Sequence, residues 1–327
     1  MQKTQKLGLV YGNVLIVGVD VAKKTHFTKI HNQVGLDAVK PFRFHNNREG
    51  FYRLLSRICE AQSKEGTGRV VVGMEPTGHY WKPLARFLRD HGYTVVIVNP
   101  YHVKKSKELE DNTQTKSDRK DAGIIVQLVK EGRFLNCILP TGVYAELRTL
   151  SATRGQQARK LNSALCQMRA ILDEYFPELE QVFKDLLGKA AKWILRNRPF
   201  PEDILKVEVE RLAEELKQAS SHRVGMKRAE KLIAAAEESI GVKEGLQAAR
   251  AKLMSCLDEI EFYHGQLKKT EEAMGRFLMQ TGLGEYLLSI PGVGVVTAAG
   301  FLGEIGDPGR YNHWKQIQKL AGYNLVE

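Results

Sequence analysis

The sequence predicts an α/β domain built on a mixed sheet flanked by helices, followed by a long helical region. Up to about residue 140, short β-branched apolar runs alternate with amphipathic helical stretches. After Gly142 the strand pattern disappears, and long stretches rich in Ala, Glu and Lys begin. The 327 residues, 43% hydrophobic and 27% charged, exclude a disordered chain and suggest about two domains with real cores.

Five strands are predicted in the first part of the chain. Residues 13–20 (NVLIVGVD) form a β-branched apolar run typical of a strand buried on both faces. Residues 25–32 and 38–46 alternate roughly between apolar and polar side chains, which predicts an antiparallel meander with the first strand. Two more buried strands are predicted at 69–75 (RVVVGME) and 94–100 (TVVIVNP).

Helices are predicted between the later strands and throughout the rest of the chain. Residues 47–62 have apolar side chains at helical spacing after a candidate Asn cap, and residues 79–92 end at a glycine. Residues 144–176 predict one long helix that stops at Pro177, and residues 204–280 predict further long helices. This length is typical of a coiled-coil or bundle used for dimerisation, although a plain bundle without a partner is the alternative.

Three regions are therefore expected: an α/β domain at 1–140, a helical coiled-coil or dimerisation region at 141–280, and a turn-rich region at 281–327. The net charge of +11 favours a polyanionic partner. The four cysteines are far apart and lack zinc-site spacing, and the N-terminus has no secretion signal. No apolar run approaches the length of a membrane span, so a reduced, cytoplasmic protein is expected.

Four carboxylates lie where this topology can bring them together. Asp20 ends the first strand and Glu75 ends the strand RVVVGME. Asp118 and Asp121 are three residues apart, so they share one helix face. A carboxylate at the end of a buried strand is costly unless it is paired, and four at one sheet edge can hold two Mg²⁺ ions for phosphodiester chemistry. The alternative is that each acid caps a turn or helix, or pairs with a nearby lysine or arginine.

Basic residues surround the Asp pair and continue along the long helix, which has no acidic residue from 148 to 171. Such residues neutralise backbone phosphates and hold a scissile bond in register. A solvated helix face is the alternative. The residues predicted to contact nucleic acid are Lys104, Lys105, Lys116, Arg119, Lys120, Arg148, Arg154, Arg159 and Lys160.

A glycine-containing turn near the end of the chain predicts another phosphate contact. In IPGVG followed by VVTAA, Gly292 and Gly294 resemble the turn of a helix-hairpin-helix. Glycines allow close approach of a backbone, and the amides at the start of the next helix can bind phosphate without reading sequence. The alternative is a tight turn that only packs two helices together.

Both ends of the chain resemble one known family. The segments VGVDVAKKTH, VVVGMEPTGHYW, NPYHVKKSKE and TKSDRKDA resemble the first domain of the DEDD-type, Piv-like insertion-sequence transposases, the RNA-guided bridge recombinases. The tail LSIPGVGVVTAAGFLGEIGDPGRYNHWKQIQKLAGY resembles their second domain. The resemblance implies an RNase H-like (RuvC-like) first domain with Asp20, Glu75, Asp118 and Asp121 as catalytic Mg²⁺ ligands. It also implies double-stranded DNA and a structured guide RNA as partners, and a dimer or tetramer.

The sequence departs from that family in one respect. The family carries a nucleophilic serine in a Ser-Gly-containing segment shortly after the LAGY-like stretch, whereas this sequence ends at Glu327, before such a segment. A hydroxyl nucleophile is needed for covalent strand transfer in that chemistry. We therefore expect a truncated chain that does not complete recombination alone.

The expected function is that of a transposase and DNA recombinase, an enzyme of an insertion sequence. A metal-dependent RuvC-like endonuclease or junction resolvase is one alternative, since it would use the same four carboxylates without a serine. A catalytically inactive nucleic-acid-binding fragment is the other. Metal-dependent nicking by this chain favours the first, and salt-sensitive RNA binding without catalysis favours the second.

Overall fold

The computed structural model describes residues 3–110 and 118–322 of the chain. By the packing of its backbone the chain divides into two compact units. Unit 1 contains Met1–Pro140 together with Gly306–Glu327, and unit 2 contains Thr141–Ile305. The division into three functional regions that the sequence predicts stays a prediction.

Unit 1 consists of a sheet with helices on both faces. Its strands are β1 (Leu15–Asp20), β2 (Thr25–His31), β3 (Asp37–His45), β4 (Val70–Met74), β5 (Thr94–Ile97) and β6 (Leu135–Asn136). Its helices are α1 (Lys3–Val10), α2 (Arg48–Glu65), α3 (Trp81–Asp90), α4 (Pro100–Glu110), α5 (Asp118–Lys130) and, near the chain end, α15 (Trp314–Leu320), which follows a 3₁₀ turn at Pro308–Arg310.

Unit 2 is helical throughout the residues that the structure describes. Its helices are α6 (Val143–Tyr175), α7 (Leu179–Val182), α8 (Lys189–Asn197), α9 (Pro201–Leu205), α10 (Val209–Ala219), α11 (Met226–Glu237), α12 (Leu246–Gln280), α13 (Gly284–Leu288) and α14 (Val295–Ile305). No helix among the described residues is long and apolar enough to cross a membrane.

The sheet of unit 1 has the strand order β3-β2-β1-β4-β5-β6. The pairs β3-β2 and β2-β1 are antiparallel, β1-β4 and β4-β5 are parallel, and β5-β6 is antiparallel. The predicted fold class, a mixed RNase H-like (RuvC-like) sheet domain followed by a helical region, is confirmed. The two-residue strand β6 and helix α1 were not predicted, because neither carries a clear apolar period.

Successive residues of the central strands point to opposite faces of the sheet, and each face has its own hydrophobic core. Leu15, Val17 and Val19 of β1 pack against α2 and α3 on one face. Ile16 of β1 packs against α1, α4 and α5 on the other face. Because both faces are covered, the central strands are continuous β-branched runs, as the sequence predicts.

A pair of glycines lets α5 lie unusually close to the centre of the sheet. Gly18 of β1 and Gly73 of β4 are direct neighbours in the parallel ladder, and we call them the glycine pair. A Cβ on Gly18 would lie 2.3 Å from the carbonyl oxygen of Ala122. A Cβ on Gly73 would lie 2.4 Å from a methyl group of Val129. Any side chain here would push α5 away from the sheet.

The two longest helices of unit 2 pack along each other. Helix α6 runs without a break through Gly155 and lies against α12, while α14 packs on both. A Cβ on Gly303 of α14 would lie 2.8 Å from the backbone nitrogen of Arg148, so these two helices are in backbone contact. The larger core of the unit joins α6 and α12 to α7 through α11.

Candidate functional site

The carboxyl ends of the central strands bring two of the predicted acids together. In the parallel pair of β1 and β4, Val19 lies opposite Met74. Asp20 and Glu75 are the next residues along, so they lie side by side at this edge of the sheet. Each is two residues beyond a member of the glycine pair, so both lie on the face covered by α5. We call this end of unit 1 the carboxylate edge.

Helix α5 brings a third acid to the carboxylate edge. Its Ala122 carbonyl lies directly over Gly18, and Asp121 is the preceding residue in the first turn of the helix. An acid in the first turn is also favoured by the helix dipole. Asp118 begins α5, and its side chain lies outside the described residues, so its predicted role stays a prediction.

A lysine of α4 joins this group. The Lys107 Nζ lies 2.6 Å from Asp121 Oδ2, and the Asp121 side chain is 18% exposed. Burial raises the pKa of the Glu75 carboxyl above its usual value, the Lys107 ammonium lowers it, and the nearby Asp121 carboxylate raises it. Glu75, Asp121 and Lys107 therefore interact electrostatically at one place.

The donor chemistry of this edge suits a hard divalent cation. Carboxylate oxygens are the ligands that Mg²⁺ prefers. Burial is the main cause of the raised pKa of Glu75, and a cation at this edge would favour its ionised form. The Lys107 ammonium forms an ion pair with Asp121 at this edge. Among the residues whose side chains are described, no group of three or more His, Cys, Asp or Glu has the arrangement of a metal centre. The residues that fit a divalent cation here are therefore Glu75 and Asp121, which lie beside Asp20.

A buried histidine holds the loop that follows Asp20. The His26 Nδ1 accepts a hydrogen bond from the backbone N–H of Ala22, at 3.2 Å. The His26 ring is fully buried, in edge contact with Phe44 and stacked on Phe51. Burial lowers the pKa of His26, and the nearby Asn46 side chain raises it by less. The neutral ring is therefore the form that supports the loop.

A turn joins two helices of unit 2 where the sequence predicts a helix-hairpin-helix, and its contact with phosphate stays a prediction. Residues 289–294 connect α13 to α14, and Gly292 has a φ of +83°, which favours glycine. The space beside Gly292 and Gly294 is open, with no atom within 4 Å of an added Cβ. The Val293 N–H donates to the Ile290 carbonyl, which closes the turn.

Comparison with known proteins decides the family. Residues 17–177 match the model of the DEDD transposases of the IS110 type, and residues 284–327 match the transposase model of the IS116/IS110/IS902 family. The first match spans the carboxylate edge, and the second spans the hairpin. The chain belongs to the IS110 family of transposases.

Individual relatives agree with this assignment. The chain is 26% identical to the insertion element IS110 uncharacterized 43.6 kDa protein of Streptomyces coelicolor, over 94% of this chain and 75% of that protein. It is 30% identical to the pilin gene-inverting protein of Moraxella bovis, over 34% of this chain and 33% of that protein. The pilin gene-inverting protein of Moraxella lacunata is 31% identical over a similar share. Membership in this family makes the chain a DNA recombinase, an enzyme that binds DNA.

The basic residues predicted beside the Asp pair of this transposase have different environments. Lys104 is exposed on α4, and Lys105 pairs with Glu108 at 3.2 Å. Lys120 is exposed on α5. Lys116 lies outside the described residues, as does the side chain of Arg119. Their contact with nucleic acid stays a prediction.

The basic residues predicted on α6 belong to unit 2, where neighbouring helices supply acids. Arg154 pairs with Glu271 of α12 at 3.0 Å, and Arg148 lies 3.6 Å from Glu304 of α14. The Lys160 ammonium lies over the Tyr263 ring, 5.7 Å from its centroid. Arg159 is exposed. The acid-free stretch of α6 thus meets acids from other parts of the chain, and its phosphate contacts stay a prediction.

Three features of the carboxylate edge were not identified from the sequence. The glycine pair did leave a signal, since a glycine inside a β-branched strand indicates close approach of another backbone. Lys107 was one basic residue among several, and only the packing of α4 beside α5 selects it as the partner of Asp121. His26 had no signal, because it occupies an ordinary inward position of an alternating strand.

Proposed function

We propose that the carboxylate edge supplies the Mg²⁺-dependent part of phosphodiester strand exchange on DNA by this IS110-family transposase, and that the covalent step needs the family's serine nucleophile. Asp20, Glu75, Asp118 and Asp121 would hold the metal ions. The observation that carries the proposal is the electrostatic coupling of Glu75 to Asp121 beside the end of β1, where Asp20 lies. A sheet edge that gathers carboxylates is costly unless a cation or a proton compensates them.

The residues at the carboxylate edge would have different roles. Mg²⁺ held by these carboxylates would orient the attacking oxygen and stabilise the leaving oxygen. Asp20 and Glu75 extend from paired strands, which fixes their separation before substrate binds. The close approach of α5 to the glycine pair holds the start of that helix, and with it Asp121, near Glu75. Lys107 holds Asp121 in place and offsets part of the negative charge that would repel a phosphate.

The partners follow from the family. The proposal takes donor and target DNA as substrates, since the pilin gene-inverting relatives are named for rearranging a gene. Resemblance to the bridge recombinases supports a structured guide RNA that pairs with both DNAs, and a homo-oligomer, dimer or tetramer. The long helices α6 and α12 are candidates for the assembly region. We place this activity in the cytoplasm, where bacterial DNA is accessible.

The proposal is tested with the purified chain extended through the family's serine-containing segment, RNA transcribed from its own locus, and plasmids carrying the element ends and a target. Junction products are counted by quantitative amplification, and strand cleavage is followed on gels. Glu75→Gln and Asp20→Asn should each lower product formation at least about 100-fold, since a lost carboxylate removes a metal ligand. Glu60→Gln is the matched control, because that carboxylate is 55% exposed and pairs only with Arg57 among the described residues.

Metal binding gives a readout that does not depend on strand exchange. Calorimetric titration with Mg²⁺ should show binding by the unaltered chain and by Glu60→Gln, and much weaker binding by Glu75→Gln. Unchanged Mg²⁺ binding together with unchanged activity in Glu75→Gln would contradict the proposal. Mg²⁺-dependent cleavage without joined products would instead assign the endonuclease alternative.

A further inference from the structure

A second, basic feature lies at the opposite end of the sheet in unit 1. A cavity of about 860 Å³ opens where β1 begins, between α1, the last turn of α5 and α15. Tyr11 and Lys6 line it from the N-terminal segment, Lys130 from α5, and Lys319 from α15. We call it the basic cavity.

The charge of the basic cavity is unbalanced. Four basic residues line it against a single acid, Glu131, which pairs with Arg133 at 3.1 Å. Lys6, Lys130 and Lys319 have no carboxylate within ion-pair distance among the residues that the structure describes. Three ammonium groups without counter-charges at one cavity indicate an anionic partner.

The lysines are close enough to affect one another. Burial lowers the pKa of Lys6, and repulsion from the Lys319 ammonium lowers it further. The Lys6 Nζ donates to the Phe134 carbonyl and lies over the Phe134 ring, which fixes its direction. The Lys130 Nζ lies 3.3 Å from the Cβ that Gly35 lacks, so it reaches the turn between β2 and β3. Such convergence costs energy in the free protein, and a bound anion would relieve it.

An aromatic ring stands at the same cavity on a fixed backbone. Tyr11 is 67% exposed, which is unusual for a large ring that has a core beside it. Its carbonyl accepts a hydrogen bond from Arg69 Nη1 at 3.1 Å, and Arg69 Nη2 binds the Gly8 carbonyl at 2.9 Å. Arg69 precedes β4, so it ties the end of α1 and Tyr11 to the sheet. The ring is therefore presented to solvent by a rigid support.

We propose that the basic cavity binds the backbone of a single-stranded nucleic acid through Lys6, Lys130 and Lys319, while Tyr11 stacks on an unpaired base. Lysines that follow a backbone beside an exposed aromatic ring are the usual means of holding single strands. A duplex fits less well, because its bases are already stacked on each other and present no free face to Tyr11. The inference rests on the proposed function only in taking nucleic acid as the partner, and its residues are separate from the carboxylate edge.

The test is binding of fluorescent single-stranded DNA, single-stranded RNA and duplex DNA to the full chain, followed by anisotropy at several salt concentrations. The double variant Lys130→Glu/Lys319→Glu should bind single strands at least tenfold more weakly. The slope of log affinity against log salt should fall by about 0.7 for each phosphate that the variant no longer neutralises. The matched control is Lys227→Glu/Lys231→Glu on α11, which changes the net charge equally at exposed lysines of unit 2.

Variants of Tyr11 distinguish the contribution of base stacking to binding from that of charge. Tyr11→Ala should weaken single-strand binding about tenfold without changing the salt slope, because stacking releases no counterions. Tyr11→Phe should bind as the unaltered chain does, since it keeps the ring. Comparison of the DNA and RNA oligonucleotides identifies which strand is held.

Three outcomes would overturn the inference: equal binding by the cavity and control double variants, loss confined to duplex DNA, or no effect of Tyr11→Ala. The proposed function has a separate failure. Glu75→Gln should keep the single-strand affinity of the unaltered chain while it loses Mg²⁺ binding and strand exchange. Mg²⁺-dependent exchange with no cavity effect would refute this inference alone.

Discussion

The two ends of the sheet in unit 1 carry opposite charge and are joined by one helix. Helix α5 starts at the carboxylate edge with Asp121 in its first turn and ends at the basic cavity with Lys130. Its 13 residues place these ends roughly 18 Å apart. The charge order agrees with the helix dipole, which favours acids at the start and bases at the end.

The difference between the two ends concerns how charge is compensated. At the carboxylate edge, Lys107 of the neighbouring helix partly compensates the acids. At the basic cavity, no described carboxylate pairs with the three lysines. The glycine pair fixes the middle of α5 against the sheet, so the helix holds both ends at a set distance. This difference suggests a metal-dependent centre and a separate anchor for nucleic acid on one rigid frame.

The largest effect is expected from a substitution in the glycine pair, because this pair holds α5, which extends from the carboxylate edge to the basic cavity. Gly18→Ala would place a Cβ 2.3 Å from the Ala122 carbonyl, and backbone on both sides must move. We expect the free energy of unfolding to fall by about 3 kcal/mol, with loss of both Mg²⁺ and single-strand binding. Urea unfolding measures the first effect.

Two other glycines calibrate this prediction. Gly73→Ala meets a side-chain methyl of Val129 instead of backbone, so we expect a smaller loss than for Gly18→Ala. Gly68→Ala, just before β4, has no atom within 4 Å of the new Cβ and should leave stability unchanged. Equal stability of the three variants would show that α5 is not held by the glycine pair.

A smaller effect, confined to one end, is expected from Lys107→Met. Without the ammonium, Asp121 loses its partner at 2.6 Å and the pKa of Glu75 rises further. In a chelator we expect the free energy of unfolding to fall by about 1 kcal/mol, since the pair is only partly buried. Adding Mg²⁺ should restore more stability than in the unaltered chain, because the edge is then more negative. Thermal unfolding with and without Mg²⁺ checks both statements.

The control for that variant is Lys104→Met, which removes an exposed lysine from the same helix. It should behave as the unaltered chain does in chelator and in Mg²⁺. The same response in both variants would mean that Lys107 acts through net charge and not through Asp121.

His26 should make stability at the carboxylate edge depend on pH. Burial lowers the pKa of His26 in the folded chain below its unfolded value near 6.5. The unfolded state therefore binds more protons, so the stabilising contribution is complete above about pH 6.5 and is lost as pH falls toward the folded pKa. His26→Gln should reduce the slope of stability against pH by up to about 1.4 kcal/mol per pH unit in that window.

Urea unfolding at several pH values between 7 and 5 measures this slope. His264→Gln, at an exposed position on α12, serves as the control and should keep the slope of the unaltered chain. An unchanged slope in His26→Gln would show that the hydrogen bond from Ala22 does not depend on the charge of the ring.

The smallest effect is a local one at the basic cavity. Burial lowers the pKa of His31, the Asp37 carboxylate at 3.1 Å raises it, and Lys29 and Lys130 lower it. Lys130→Glu should therefore raise the pKa of His31, which NMR titration of the ring measures directly. Lys40→Glu, an exposed change on β3, should leave that value where it is. An unmoved His31 pKa in Lys130→Glu would place Lys130 away from this end.

Much of the fold followed from local patterns. The β-branched runs ending in Asp20 and Glu75 predicted strands buried on both faces correctly, because only a strand covered on both faces needs apolar residues at every position. The meander of β2 and β3 followed from alternation of apolar and polar residues. The helix from 144 to 176 was predicted within one residue at each end, because Pro177 stops it.

The sequence alone determined the family, the order of strands and helices, and the placement of acids at strand ends, since these depend on residue type and short-range periodicity. Only the tertiary structure decided that Lys107 pairs with Asp121, that α5 lies on the glycine pair, and that Lys6, Lys130 and Lys319 share a cavity. The physical reason is that these contacts join residues far apart in the chain. Their distances are set by how closely helices pack against the sheet, and a linear pattern does not contain that distance.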